Sequence, residues 1–166
     1  MRKILAIIDM QNDFIDGSLA NEAAAAIVPG IADAIKSYDE VIFTRDTHDE
    51  NYLSTAEGKK LPIEHCLRGT HGWEIRKELL DAAPVRAIVD KPTFGWLGWD
   101  LSLKPEDELT LVGTCTDICV VSNALILKAK YPESKISVIE SLCAGLTEEK
   151  HKAAIETMRS CQVDIL

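Results

Sequence analysis

The chain has 166 residues, 46% of them hydrophobic, so it can bury one sizeable core, and we expect a single domain over residues 1–166. Its formal net charge of -9 argues against nucleic acid or a membrane as a partner, because both would repel it. Five cysteines, an odd number without a Cys-x-x-Cys pair, argue against a secreted disulfide framework and favour a reducing cytoplasm.

The first predicted strand is the continuous apolar run from Ile4 to Ile8, typical of a strand buried on both faces of a parallel sheet. Asp9 follows it directly. Ligands of open parallel sheets bind outside the carboxyl ends of the strands, which makes Asp9 a candidate active-site residue. Taken alone, an acid here is explained more simply as a loop residue or a helix cap.

A helix divided by Pro29-Gly30 is predicted over 23–38, and a second strand over 41–44. Asp46 and His48 follow that strand. Two side chains two residues apart in extended chain share a side, so both can face one ion.

His65 is a third candidate ligand, in a long aperiodic stretch over 49–72 that has the character of a functional loop. An isolated histidine is more often a surface or hydrogen-bonded residue. Cys66 and His71 lie nearby and stay open as alternative ligands.

A short helix is predicted over 73–80 and a third strand over 85–89, followed by Lys91. Lysine is usually a solvated surface residue, but this one follows the carboxyl end of a strand, as Asp9 does. Trp96 and Trp99 come next. They could stack on a flat ring or pack the rim of a site, and the sequence leaves both open.

A fourth strand is predicted over 109–112, stopped by Gly113, and an apolar helical face follows beyond Asp117. Cys119 therefore falls in the first turn of that helix. Free backbone N–H groups and the helix dipole favour a thiolate there and are expected to lower the cysteine pKa. A small buried apolar cysteine is an equally good interpretation from position alone.

A strand over 135–140, a helix capped by Thr147 and a short strand over 163–166 complete the chain. Strands alternate with helices throughout. We therefore predict an α/β fold: a three-layer α/β/α arrangement with a mainly parallel, Rossmann-like sheet of about six strands.

Two motifs resemble those of the isochorismatase-like cysteine hydrolases, a group that includes nicotinamidases and N-carbamoyl amidases. They are Gly113-Thr-Cys-Thr-Asp-Ile-Cys119-Val120 and Asp9-Met-Gln-Asn-Asp-Phe14. The resemblance covers nearly the whole chain and implies the same three-layer fold. It implies that Cys119 is the nucleophile, Asp9 the catalytic acid/base and Lys91 the catalytic lysine.

The same resemblance implies a cis peptide between Thr114 and Cys115, and an oxyanion hole formed by the N–H groups of Cys115 and Cys119. Phe14 is expected to line the substrate pocket, together with Phe94 and Trp96. The segment over 92–95 is shorter than the serine-containing loop of many nicotinamidases, so the shape of this pocket wall stays open.

Asp-x-His followed by Pro-x-x-His-Cys resembles the nicotinamidase metal site, and implies a divalent metal, expected to be zinc, held by Asp46, His48 and His65. The implied reaction is hydrolysis of a small amide, nicotinamide first of all, through a thioester. A homo-oligomer is expected.

Three other functions stay open. An N-carbamoyl or ureido amide could be the substrate of the same chemistry. A phospho-acceptor signalling domain has an α/β chain of this size, but it needs a lysine directly after strand five, which is lacking here. A thiol redox switch could use Cys115 and Cys119.

Overall fold

The computed structural model describes residues 1–166 and contains one six-stranded sheet in which all strands are parallel. Its order is β3-β2-β1-β4-β5-β6. The strands are β1 Lys3–Ile8, β2 Glu40–Asp46, β3 Ala87–Lys91, β4 Glu108–Thr114, β5 Lys135–Ala144 and β6 Asp164–Ile165. The predicted fold class is confirmed, and β1 lies beside β4 at the centre of the sheet.

The helices are α1 Asn12–Ile15, α2 Glu22–Ile35, α3 Ala56–Lys60, α4 Lys77–Ala82, α5 Val121–Lys130 and α6 Glu148–Ser160. Short 3₁₀ turns occupy Tyr52–Ser54 and His71–Trp73, and a π-helical turn, Thr116–Val120, precedes α5. None of the helices is long and apolar enough to cross a lipid bilayer.

Alternate residues of β1 pack on opposite faces of the sheet, which explains its continuous apolar run. Ile4 and Ile8 belong to a core cluster that includes buried residues of α5 and α6. Leu5 and Ile7 belong to a second cluster, with α2 and α4. Every residue from Ile4 to Ile8 is fully buried, so the sheet is the middle layer of three.

Several predicted boundaries were wrong. Pro29 does not divide α2, because the buried face of that helix continues through it from Ala24 to Ile35. Gly30 lies so close to β5 that an added Cβ would be 2.6 Å from Leu142. The third strand begins two residues later than predicted and includes Lys91, whereas Val85 is 89% exposed.

The helix predicted over 73–80 is also shorter, because Trp73 belongs to a 3₁₀ turn and α4 begins only at Lys77. β5 runs four residues beyond its predicted end, to Ala144. Its register with β4 shifts between Leu111 and Gly113, so the strand continues past an irregularity that the sequence pattern did not show.

Candidate active site

Three polar side chains meet at the carboxyl ends of the edge strand β3 and the central strands β1 and β4. Asp9 directly follows β1, Lys91 ends β3, and Cys119 lies in the π-helical turn after β4. The Lys91 Nζ is 2.6 Å from Asp9 Oδ2 and 3.5 Å from Cys119 Sγ. Asp9 and Lys91 are fully buried and Cys119 is 5% exposed. The structure thus brings together the three residues that the family resemblance selected.

Asp9 is held in place by a threonine of the neighbouring strand. Its backbone φ is +48°, and its N–H donates to Thr44 Oγ1 over 3.1 Å. The same hydroxyl donates to Asp9 Oδ1 over 2.6 Å, while Oδ2 faces Lys91. Burial raises the pKa of the Asp9 carboxyl, and the lysine charge and the threonine hydrogen bond oppose that rise only in part. A carboxyl with a raised pKa is suited to accept and return a proton.

The predicted lowering of the Cys119 pKa was wrong. Burial raises this pKa well above its usual value, and the charge of Asp9 adds to the rise, while Lys91 opposes it. The resting side chain is therefore a thiol, and forming the thiolate requires a nearby base. Asp9 is the carboxyl that shares the Lys91 ammonium with this sulfur.

Lys91 keeps its charge in this buried cluster. Burial alone would lower the pKa of Lys91, but the charges of Asp9 and Asp46 raise it, and the net shift is upward. Its Nζ also donates to the backbone oxygen of Thr93 over 3.2 Å. A permanent positive charge thus stands between the carboxylate and the sulfur.

The backbone between β4 and α5 has an unusual shape. The Thr114–Cys115 peptide is cis, as the resemblance implied, and Gly113 has a φ of +120°. A Cβ at Gly113 would lie 2.2 Å from the backbone oxygen of Ile8, so only glycine fits this close approach to β1. The N–H of Cys115 donates to no other group of the protein and remains free to bind a ligand oxygen.

Four side chains form a second cluster beside this one: Asp46, His48, Glu57 and His65, whose ligand atoms lie within 4.8 Å of one another. The Nε2 of His48 is 3.0 Å from Asp46 Oδ2 and 3.5 Å from Glu57 Oε1. The Nε2 of His65 is 3.4 Å from the same aspartate oxygen and 3.7 Å from the same glutamate oxygen.

These spacings suit a tetrahedral metal site. Ligand atoms about 2.0–2.1 Å from a zinc ion stand roughly 3.3 Å apart in that geometry. Asp46 Oδ1 and Glu57 Oε1 are buried without a hydrogen-bond partner, which is costly unless a cation neutralises them. The residues present therefore fit a divalent ion with mixed imidazole and carboxylate ligands.

Neighbouring polar groups orient these side chains. His65 Nδ1 is 2.8 Å from the backbone oxygen of Ile63, which fixes the proton there and leaves the Nε2 lone pair free. Gln11 is fully buried and holds the main chain of Asp46 on both sides: its Nε2 donates to the carbonyl and its Oε1 accepts from the N–H, each over 2.8 Å.

The sequence analysis missed Glu57 as a candidate ligand. The two alternative ligands that it left open, Cys66 and His71, do not belong to this cluster. Glu57 lies in α3, nine residues after His48, and no periodic pattern links it to the other three. His71 has a side chain that is 82% exposed and pairs with Glu74. Cys66 is buried, yet it is not a member of the cluster, and burial raises the pKa of its thiol.

A cavity of about 560 Å³ opens onto both clusters, a size typical of small-molecule sites. Nine of its 16 lining residues are hydrophobic. The lining consists of Phe14, Ser18, Leu19, Ala20, Asn21, Glu22, Asp46, Glu57, Leu61, His65, Phe94, Thr114, Cys115, Ile118, Cys119 and Leu146. Phe14 and Phe94 line it as predicted, whereas the group over 18–22 and Leu146 carry no motif and were missed.

Trp96 does not line the cavity, contrary to prediction. The backbone N–H of Trp96 donates to Asn123 Oδ1 over 2.9 Å. Its indole ring packs edge-on against that of Trp99 at a centroid distance of 5.2 Å. Trp99 is fully buried in the core. Both indoles therefore pack the structure behind the pocket.

The model of the isochorismatase domain matches residues 3–166. The chain belongs to the isochorismatase family. A nicotinamidase/pyrazinamidase of Mycobacterium tuberculosis is 29% identical to this family member, over 99% of this chain and 98% of the relative. An isochorismatase family protein of Bacillus subtilis is 31% identical over 93% of each chain.

Among solved structures, the pyrazinamidase/nicotinamidase of Streptococcus mutans superposes on this isochorismatase-family chain with a TM-score of 0.83. The two share 29% sequence identity, and the match covers 99% of each chain. The likeness therefore extends over the whole fold.

Proposed function

We propose that this chain hydrolyses nicotinamide to nicotinate and ammonia through a thioester on Cys119. The observation that carries the proposal is a buried cluster in which Lys91 contacts both Asp9 and Cys119. Cys119 lines a mainly apolar cavity that also meets a metal-ligand cluster. A flat heteroaromatic ring with a carboxamide matches such a cavity. The relatives from M. tuberculosis and S. mutans, both named for this activity, support it.

In the first half of the reaction, Asp9 takes the proton of the Cys119 thiol, and the sulfur attacks the carboxamide carbon. Lys91 stays charged and stabilises the thiolate as it forms. The oxyanion accepts hydrogen bonds from the backbone N–H groups of Cys115 and Cys119. Losing one such donor typically costs roughly a hundred- to a thousandfold in rate. Asp9 then protonates the departing nitrogen, the C–N bond breaks, and ammonia leaves.

In the second half, a water molecule attacks the thioester carbon while Asp9 takes its proton. The C–S bond breaks, and the proton on Asp9 returns to the sulfur. One carboxyl therefore serves as base twice and as acid twice. Its raised pKa suits this alternation, because both protonation states are accessible.

Asp46, His48, Glu57 and His65 would hold a zinc ion, three of them as the sequence predicted and Glu57 in addition. When bound, the ion supplies a Lewis acid that can take a ring nitrogen of the substrate. The residues themselves orient the site: Asp46 lies 4.0 Å from the Lys91 Nζ and so connects the two clusters. Burial would raise the pKa of Asp46, but the hydrogen bonds of the two histidines and the charge of Lys91 together lower it.

The test is ammonia release from nicotinamide by the purified protein, before and after dialysis against a chelator. We expect release that falls on metal removal, returns with added zinc, and is absent in Cys119→Ala. A protein that releases ammonia from N-carbamoyl or ureido amides but not from nicotinamide would contradict the proposed substrate. The homo-oligomer and the cytoplasmic location remain predictions; light scattering on the purified protein and fractionation of the source cells test them.

A further inference from the structure

A buried asparagine connects the segment that carries Phe94 to the helix that follows Cys119. Asn123 lies in the first turn of α5 and is fully buried. Its Nδ2 donates to the backbone oxygen of Cys119 over 2.8 Å and to that of Phe94 over 3.0 Å. One amide group thus bonds directly to a residue of the pocket wall and to the candidate nucleophile.

The oxygen of the same amide is also fully used. Asn123 Oδ1 accepts the backbone N–H of Trp96 and the indole N–H of Trp99, each over 2.9 Å. A primary amide has two donor hydrogens and two acceptor lone pairs, so all four are satisfied. A buried residue with every polar atom paired fixes its neighbours firmly, because any rearrangement leaves unpaired groups.

The segment that it holds, residues 93–99, contains no helix or strand. We call it the pocket-wall segment. Thr93 accepts a hydrogen bond from Lys91 Nζ, and the ring of Phe94 lines the cavity. A Cβ at Gly95 would lie 2.5 Å from the side chain of Ile126, so the segment packs directly on α5. Asn123 supplies most of the polar contacts that hold the segment in that position.

We propose that Asn123 is a positioning residue that sets the separation between the Phe94 wall and the nucleophile helix. The substrate part of this inference rests on the proposed nicotinamide hydrolysis; the structural part does not. Loss of the asparagine should loosen the wall against which a flat ring packs while leaving Asp9 and Cys119 in place. Binding of the ring should therefore suffer more than the chemical step.

The test compares Asn123→Leu, which has a similar shape and no polar atoms, with Asn123→Asp, which keeps the acceptor for both tryptophans but loses the two donated bonds. Leu127→Ala is the matched control, since Leu127 is fully buried in the same helix. Two readouts are used: the KM and kcat for nicotinamide, and hydrogen exchange of the Trp96 amide, which needs no substrate.

We expect KM to rise about tenfold in Asn123→Leu, the scale of one lost aromatic contact, with kcat changed less than threefold. The Trp96 amide should lose protection in this variant, and Asn123→Asp should show a smaller rise in KM with that protection kept. Leu127→Ala should keep the wild-type KM. Wild-type KM and protection in both asparagine variants, or an equal KM rise in Leu127→Ala, would overturn the inference.

If Asn123→Leu does not fold, the KM of Asn123→Asp tests the inference in its place: a raised KM supports it, and a wild-type KM overturns it. A wild-type protein without activity on nicotinamide would refute the proposed function, and the Trp96 exchange in the two asparagine variants would still decide the role of Asn123.

Discussion

The buried ion pair between Lys91 and Asp9 makes a strong prediction about stability. Both side chains are fully buried, and their charged atoms are 2.6 Å apart. Replacing Lys91 by Met keeps most of the apolar stem and removes the charge, which leaves the Asp9 carboxylate without its cation. Breaking a buried pair in this way typically costs about 3–5 kcal/mol, so we expect a loss of that size in the free energy of unfolding at neutral pH.

The loss should depend on pH in a defined direction. Burial already raises the pKa of Asp9, and Lys91 is the strongest group that lowers it. Without the lysine this pKa rises further above its unfolded value of about 3.9. The loss of stability in Lys91→Met should therefore be absent below about pH 4. It should grow as the pH rises from there to the folded-state pKa of Asp9, because over that range Asp9 ionises in the unfolded chain but stays protonated in the folded one.

The free energy of unfolding at each pH is measured by urea denaturation, monitored by tryptophan fluorescence. A chelator is present so that the metal content is constant. Lys152→Met is the matched control. Lys152 pairs with Glu148 over 2.6 Å, but the side chains are 66% and 79% exposed, so no measurable change is expected. Replacing Asp9 by Asn removes the unpaired buried carboxylate. The double variant Asp9→Asn/Lys91→Met should therefore recover most of the lost free energy of unfolding. A Lys91→Met protein as stable as wild type, or a double variant as unstable as the single one, would refute the reasoning.

Four further predictions concern the site and its backbone. Cys119→Ala should abolish turnover with an unchanged circular dichroism spectrum; retained activity would exclude it as the nucleophile. Thr44→Val removes a hydrogen bond that lowers the pKa of Asp9, so the acid limb of the kcat/KM profile should move to higher pH, and an unmoved limb would count against Asp9 as the base. Glu57→Gln should weaken zinc binding roughly 10- to 100-fold in a competition titration with a chromophoric chelator, and unchanged affinity would remove it from the ligand set. Gly113→Ala should lower the melting temperature by several degrees or prevent folding, since its Cβ has no room, and a wild-type melting temperature would contradict the close approach to β1.

Much of the fold follows from pattern alone. The apolar run of β1 and the alternation of strands and helices predict a parallel sheet covered on both faces, and this was confirmed. The family resemblance then selected Asp9, Lys91 and Cys119, which are distant in sequence and meet in space. Such groups can be predicted because each follows or ends a parallel strand, and those ends share one edge of the sheet.

Features that depend on packing could not be predicted. The Cys119 pKa was expected to fall because only the local helix dipole was considered, whereas its burial arises from side chains throughout the chain. Glu57 lies beside the two histidines because of the path that residues 49–65 follow in the fold. The sequence of that segment has no regular hydrophobic period from which this path could be predicted. Trp96 packs against the core instead of lining the pocket, and its backbone N–H donates to Asn123, a contact between residues 27 apart.

The central claim is that Cys119 carries the acyl group during turnover. Acid quenching of the zinc-loaded protein during steady-state hydrolysis of nicotinamide, followed by peptide mass spectrometry, tests it most directly. We predict a nicotinoyl group on the peptide that contains Cys119, which disappears once the substrate is exhausted. Rapid ammonia release with no acyl group on Cys119, and undiminished release by Cys119→Ala, would contradict the account.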